Sequence, residues 1–211
     1  PGFGSMNDSI SNAFATYAQE VIKKIDSDHN VCTWVVDLRN DNGGSCNPMI
    51  AGLGPILGEG VYNRETDNNG HKLEGVYSNG EVYGLDNGVR SPEFMKVTVP
   101  YRLKHQNTPV AVLIGAHCGS SGEYAVAAFI DRPKTKLFGQ PTAGYTRGNS
   151  DYTLPDGSML FLSSGVQTDR NGKKYWDRIY PDVTVTEMAN TKRDETLEHA
   201  KAWLLSMGAC K

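Results

Sequence analysis

Apolar residues recur along the chain with two different periods. Ile10, Ala13, Phe14, Tyr17, Ala18, Val21, Ile22 and Ile25 follow the spacing of one helical stripe, which predicts an amphipathic helix with that stripe turned to the core. Asn7, Asp8 or Ser9 can cap its start, and Asp26-Ser27-Asp28 ends it. Residues 31–38 and 110–114 are short apolar runs rich in β-branched side chains, the pattern of buried strands. Each passes into small or turn-forming residues and then into a helical segment. The first leads through Arg39-Asn40-Asp41-Asn42-Gly43-Gly44-Ser45 to a helix over about 48–57, the second through Gly115 to Gly122 to a helix over 123–130.

From 58 to 100 the pattern changes. Short alternating pieces (Gly60-Val61-Tyr62, Gly75-Val76-Tyr77, Glu81-Val82-Tyr83-Gly84) are punctuated by Asn69-Gly70 and Asn79-Gly80, which predicts β-hairpins. Residues 135–139 then read as a strand leading into the loop 140–145. Residues 150–154 and 158–163 form a hairpin around Pro155-Asp156-Gly157, and a turn at Asn171-Gly172 leads to 179–185. A last helix is expected from Lys192 to Met207, capped by Thr191, with Leu197, Ala200, Leu204 and Met207 on its inner face. Strands alternating with helices indicate an α/β core with a mainly parallel sheet. Residues 58–100 are then a β-hairpin insertion, read as a cap or lid over a site.

Length and composition narrow the field. A chain of 211 residues with 38% hydrophobic and 21% charged residues fits one soluble domain with a real core. The net charge of −3 and the lack of a basic run argue against nucleic acid as a partner. No apolar run approaches the roughly 18 residues needed to cross a bilayer. The start at Pro1-Gly2-Phe3-Gly4-Ser5-Met6 carries no signal peptide and suggests a piece of a longer protein, so targeting is not readable. None of Cys32, Cys46, Cys118 and Cys210 forms a C-x-x-C pair, so neither a zinc site nor any other metal or cofactor is expected. Cys32 reads as a small buried apolar residue, and Cys46 and Cys210 are the candidates for a disulfide.

Two glycine-containing loops, 40–45 and 117–122, each follow a buried strand, and sites in open α/β sheets gather at such carboxyl ends. A strand turning sharply into a helix through small residues can present a serine at the helix N-terminus, where N–H groups and the dipole favour negative charge. Ser120 is therefore the candidate nucleophile. The amides of Gly43 or Gly44 and of Ser121 are candidates for the two donors an oxyanion requires. Glu123, three residues on, shares the helix start and can orient a base or bind a substrate amine.

These residues resemble the S41 serine peptidases, the family of the carboxy-terminal processing proteases and tricorn protease. Asp37-Leu38-Arg39-Asn40-Asp41-Asn42-Gly43-Gly44 is similar to their D-L-R-x-N-x-G-G loop, and Cys118-Gly119-Ser120-Ser121-Gly122-Glu123 to their T-A-S-[AS]-[AG]-E motif. Gly139-Gln140-Pro141-Thr142-Ala143-Gly144, Leu154-Pro155-Asp156-Gly157-Ser158 and Pro181-Asp182-Val183 follow in the same order. The resemblance is strongest to a branch without a PDZ domain and with a cap over the core. It implies a ClpP/crotonase-like ββα-spiral core, a peptide or protein substrate, Ser120 as nucleophile, Glu123 as its supporting acid, Gly43 or Gly44 with Ser121 as oxyanion hole, and work in the bacterial envelope. Thr142 and Tyr145 are then placed to contact substrate.

Three positions depart from the pattern. Asp41 replaces an Asn, Cys118 a Thr, and Tyr145 stands where the carboxy-terminal processing proteases carry a Lys base. A phenol, with a pKa of about 10, is a poor base at pH 7. Of the five histidines, His29, His71, His105 and His199 lie away from the expected site, and His117 adjoins it but should point elsewhere. The resemblance therefore implies a base upstream of this chain. Two other readings stay open: a non-catalytic peptide- or apolar-ligand-binding module on the same fold, and a crotonase-type hydrolase or isomerase.

Overall fold

The computed structural model describes residues 8–66, 68–186 and 193–208. In chain order the first elements are α1 (Asp8–Asp28), β1 (Trp34–Asp37), α2 (Cys46–Leu57), β2 (Gly60–Thr66), β3 (Lys72–Ser78), β4 (Glu81–Asp86), β5 (Val89–Lys96) and β6 (Val110–Ile114). Then come α3 (Ser121–Phe129), β7 (Thr135–Gly139), β8 (Arg147–Thr153), β9 (Met159–Thr168), β10 (Lys174–Tyr175), β11 (Val183–Thr184) and α4 (Glu195–Ser206). Four strands form the central sheet in the order β1-β6-β7-β11, all parallel, as the alternation of strands and helices implied. β6 is buried at every position, which explains its unbroken apolar run. α4 covers one face through Ala200 and Leu204, and α2 and α3 pack on the other.

The residues between α2 and β6 form their own antiparallel meander, β2-β3-β4-β5. Its tight turns follow from Asn-Gly pairs. Asn79 and Gly80 both take positive φ (48° and 83°), as do Asn87 and Gly88 (46° and 84°), the geometry of a type I′ hairpin turn. The second of these turns carries the same sequence signal, which the expectation above did not use. The meander is fixed to the core by aromatic side chains. Tyr77 is buried against α2, where a Cβ on Gly54 would fall 2.0 Å from its ring. Tyr62 meets Tyr124 of α3 edge-on at 5.9 Å.

Two arginines, Arg132 buried and Arg170 half-buried, close the helix ends beside the meander. Arg132 donates to the carbonyls of Ile56 and Leu57, and Arg170 to those of Ala128, Val61 and Leu57. Carbonyls that α2 and α3 leave without a helical partner are satisfied in this way. Burial draws the Arg132 pKa down to about 10.

α1 is rotated away from the expected face, and of the expected stripe Ile22 alone is buried. Phe14 (51% exposed) and Tyr17 (66%) face outward with Ile10, Val21 and Ile25, while Ser11, Ala15, Gln19, Ile22 and Asp26 face the core. The reason is that the inner face is selected for close approach and hydrogen bonding rather than for bulk. α1 lies so near α2 that a Cβ on Gly52 would fall 2.8 Å from the Ala18 Cβ. Gln19 donates to the Ala51 carbonyl at 2.7 Å and accepts the Tyr101 N–H at 2.8 Å. Asp26 accepts the Tyr101 hydroxyl and the Lys104 N–H. Polar side chains thus satisfy the irregular backbone leading to β6, which apolar ones could not do.

Two further expectations change. α4 begins at Glu195, and Asp194 caps it by accepting the Leu197 N–H at 2.8 Å; Thr191, expected as the cap, lies outside the described residues. Met207 is exposed rather than inward. Cys46 is a free thiol, so the expected Cys46–Cys210 pair is not formed, and Cys32, read as a plain apolar residue, is disulfide-bonded. Cys210 lies outside the described residues.

Because the Gly54 contact leaves the Tyr77 ring nowhere to move, Gly54→Ala is expected to lower stability by about 1–3 kcal/mol, the usual cost of overpacking. A urea unfolding midpoint unchanged from the parent protein would refute this coupling of meander and core.

Candidate active site

β1 and β6 are parallel neighbours in the register Asp37↔Leu113, so the loops that follow them leave the sheet side by side. Leu38 N–H continues the pairing to the Leu113 carbonyl at 2.9 Å, and Gly119 N–H reaches the Asp41 carbonyl at 2.9 Å. Gly43 (φ +107°) brings its backbone against the second loop: a Cβ there would lie 2.9 Å from the Ser120 Cβ and 3.2 Å from the Ser121 nitrogen. Only glycine allows both that φ and that approach. The first loop is anchored behind by Arg39, whose guanidinium pairs with Asp37 and, at 2.8 Å, with the α4 cap Asp194.

Ser120 is half-buried and precedes α3 with φ 55° and ψ −120°, a conformation that residues bearing a Cβ rarely adopt. Such strain costs on the order of 1–3 kcal/mol and persists only where the surroundings enforce it. Both ends of the residue are clamped. Its N–H donates to Glu123 Oε2 at 3.0 Å, and its carbonyl accepts Gln167 Nε2 at 2.8 Å and the Tyr124 N–H at 3.1 Å. Ser121 Oγ donates across to the Gly44 carbonyl at 2.8 Å.

Glu123 is wholly buried. Its other oxygen, Oε1, accepts the Thr142 hydroxyl at 2.5 Å and the Gly144 N–H at 2.9 Å. The carboxyl therefore joins the Ser120 turn to the loop after β7. Thr142, expected to touch substrate, is instead fully buried, and its hydroxyl also accepts the Ile179 N–H at 2.9 Å. It is a strut of the framework, out of reach of a ligand. Tyr145 is 70% exposed, and its ring lies beside Gly119, where a Cβ would meet it at 3.1 Å.

Of the expected oxyanion donors, the Gly43 N–H is already given to Asp41 Oδ1 at 3.1 Å. Burial pushes the Asp41 carboxyl above its ordinary range, the Gly43 N–H opposing it. The Cys118 thiol is pushed up to about 12, by burial first and then by Asp41 and Glu123, which disqualifies it as a thiolate nucleophile. Among the described residues, neither His nor Lys is a hydrogen-bond partner of residues 118–123. His71 pairs with Asp86 in the meander, His105 with Asn30, and His117 is exposed in the loop. A recess of about 540 Å³ lies at the far end of α3 among Phe129, Arg132, Thr135 and Tyr175, and does not coincide with Ser120.

Sequence reasoning missed Gln167 and Arg178, which donates to the Thr142 carbonyl at 2.9 Å. Each acts across a long stretch of chain, Gln167 from 47 residues away, and neither sits in a recognisable local pattern. Among the described residues no group of three His, Cys, Asp or Glu is placed to hold a metal ion.

Comparison with known proteins agrees with this fold. The model of peptidase family S41 matches residues 5–185. The nisin-resistance protein of Lactococcus lactis subsp. lactis is 30% identical over 197 residues, which are 93% of this chain and 57% of that protein. A lipoprotein from Streptococcus agalactiae superposes with a TM-score of 0.69 at 25% identity, over 98% of this chain and 64% of that one. The photosystem II D1 C-terminal processing protease shares the fold, with a TM-score of 0.59 at 20% identity, over 88% of this chain and 42% of that one. The chain thus spans less than two thirds of the length of each of these proteins.

Two outcomes are expected. Glu123→Ala leaves buried donors at Ser120, Thr142 and Gly144 without an acceptor and should lower stability by about 3–5 kcal/mol; a loss below 1 kcal/mol in urea unfolding would mean the clamp does not hold. Asp41→Asn keeps the acceptor for Gly43 and removes a carboxyl whose folded pKa is raised above its ordinary 3.8. A group raised in this way stabilises the fold at low pH and loses that contribution as pH rises through the folded pKa. The variant should therefore melt higher than the parent at pH 7–8, with the gap closing as pH falls toward 4. A gap independent of pH would show that Asp41 is not desolvated.

Proposed function

The chain belongs to peptidase family S41, and from that premise we propose that it is a serine peptidase core in which Ser120 attacks the carbonyl of a peptide bond and forms an acyl-enzyme. The observation that carries the reading is the clamped, strained conformation of Ser120. Ser120 forms a capping box with Glu123, which a simple strand–helix turn also favours, but its positive φ is what a nucleophile presented at a sharp turn before a helix requires. Developing charge on the attacked oxygen is met by the amides of Ser121 and Gly44, Gly43 being committed to Asp41. Glu123 acts as a positioning residue, since both its oxygens are occupied by the framework.

The remaining requirement is a proton acceptor for the Ser120 hydroxyl. None of the side chains bonded around Ser120 is suited to it, so we assign the base to a part of the polypeptide outside the described residues. The substrate is a peptide or protein, and the β2–β5 meander serves as a cap over the cleft. Work in the cell envelope is supported by the disulfide at Cys32, which implies an oxidising compartment, and by the names of the nisin-resistance protein and the lipoprotein. No described helix is long and apolar enough to cross a membrane.

A fluorophosphonate probe tests this reading. The polypeptide extended to the full length of its relatives should be labelled, and Ser120→Ala should abolish labelling. The 211-residue chain alone should react about 10²–10⁴-fold more slowly, the usual contribution of a general base. No labelling of the extended protein would sink the proposal, and equal rates for the two would place the base within these residues.

A further inference from the structure

The ribbon formed by β8 and β9 breaks the usual rules for an exposed sheet. Among the described residues, the order β10-β9-β8 leaves one edge of β8 unpaired. The register sets Tyr152 opposite Leu160 and Ser150 opposite Leu162 on one face, and Thr153 opposite Met159 and Asp151 opposite Phe161 on the other. Tyr152, Met159, Leu160, Phe161 and Leu162 are all exposed, between 40% and 52%. Both faces of the ribbon thus carry exposed apolar side chains. A flat apolar edge of this kind invites another strand to pair with it, and proteins ordinarily blunt it with charge, proline or cover. Left open, it marks a contact surface.

Three further observations say what it contacts. First, the ribbon is rooted at the nucleophile. Gln167 near the end of β9 holds the Ser120 carbonyl, and Tyr145, beside Gly119, stands two residues before β8 begins. Second, Leu154 N–H donates inward to the Ser158 carbonyl at 2.8 Å. Antiparallel pairing alternates, so the backbone groups of Thr153 and Asp151 point outward along the free edge. Third, Asp151 Oδ1, on the face it shares with Phe161, is buried with no hydrogen-bond partner among the described residues.

We propose that the outer edge of β8 is the docking strand for substrate. An extended segment rich in apolar side chains adds alongside it, bonding to the backbone of Asp151 and Thr153. Its side chains alternate between the two apolar faces, and the bond to be cut arrives at the root of the ribbon beside Ser120. This rests on the reading of Ser120 as nucleophile, but the two can fail separately.

The experiment uses the full-length protein with two readouts. A small fluorophosphonate, which does not reach the ribbon, reports the nucleophile. A fluorescein-labelled decapeptide of alternating valine and leucine, compared with its serine and threonine counterpart, reports docking to the Ser120→Ala protein by polarisation. Thr153→Pro removes an outward N–H without touching the β8–β9 ladder, and Leu160→Lys with Phe161→Lys charges one residue on each face. Either change should weaken binding of the apolar peptide about tenfold or more, a difference of about 1.4 kcal/mol. In the enzyme with Ser120 intact, the same loss should appear as a raised KM with kcat kept. If Thr153→Pro fails to fold, the lysine pair decides. Undiminished binding in the lysine pair would overturn the proposal, as would equal binding of the two peptides. So would a dimer that the lysine pair converts to monomer, or cosedimentation with phosphatidylglycerol vesicles that the pair abolishes, since the ribbon would then cover a second copy or a lipid surface. Tight peptide binding without fluorophosphonate labelling would keep the docking strand and discard the peptidase.

Discussion

A single buried carboxyl ties the candidate site together. Glu123 has no contact with water, and the groups it accepts from, Ser120 N–H, Thr142 hydroxyl and Gly144 N–H, come from two loops that leave neighbouring strands. A buried acceptor of this kind is stable only when its donors are in place, and the donors are satisfied only when the loops close on it. The dependence runs both ways. The strained Ser120 turn, the buried Thr142 strut and the position of Tyr145 beside Gly119 are therefore one arrangement rather than three.

The parallel sheet supplies the frame within which that arrangement is possible. β1 and β6 end in register, so their loops emerge together, and Gly43 lets them meet at the Ser120 turn. The motif at the other end of the sheet does similar work. Asp182, of Pro181-Asp182-Val183, accepts the Leu137 N–H at 2.7 Å and so ties the segment entering β11 to β7, the strand whose following loop carries Thr142 and Gly144. Residues that look like separate short motifs along the chain are fixings of one sheet, made toward its two opposite edges.

What was legible in the sequence was local. The apolar run of β6, the Asn79-Gly80 turn and the small residues before α3 each announce their structure through neighbours a few positions away. The direction of α1 was not legible, because it is decided by Gly52 and by the backbone at Tyr101 and Lys104, which the helical period does not contain. Thr142 was misread for the same reason: its partners, Glu123 and Ile179, lie 19 and 37 residues away. Gln167 left no signal at all, since an amide at the end of a strand is unremarkable until the fold brings it to Ser120.

The β2–β5 meander has a consequence for the order in which the chain acquires its shape. Trp34 must find Val110 to start the parallel sheet, and the whole meander lies between them. Closing so long a loop in one step is entropically costly, and non-local pairings of this kind slow folding. The meander is wired only between successive strands, with turns of two residues at Asn79-Gly80 and Asn87-Gly88, and hairpins of that sort form in microseconds. Once formed, it draws the end of α2 toward the start of β6 and shortens the effective separation between β1 and β6. The insertion that covers the core in the finished protein thus also acts, during folding, as the local structure that brings the two central strands within reach of each other.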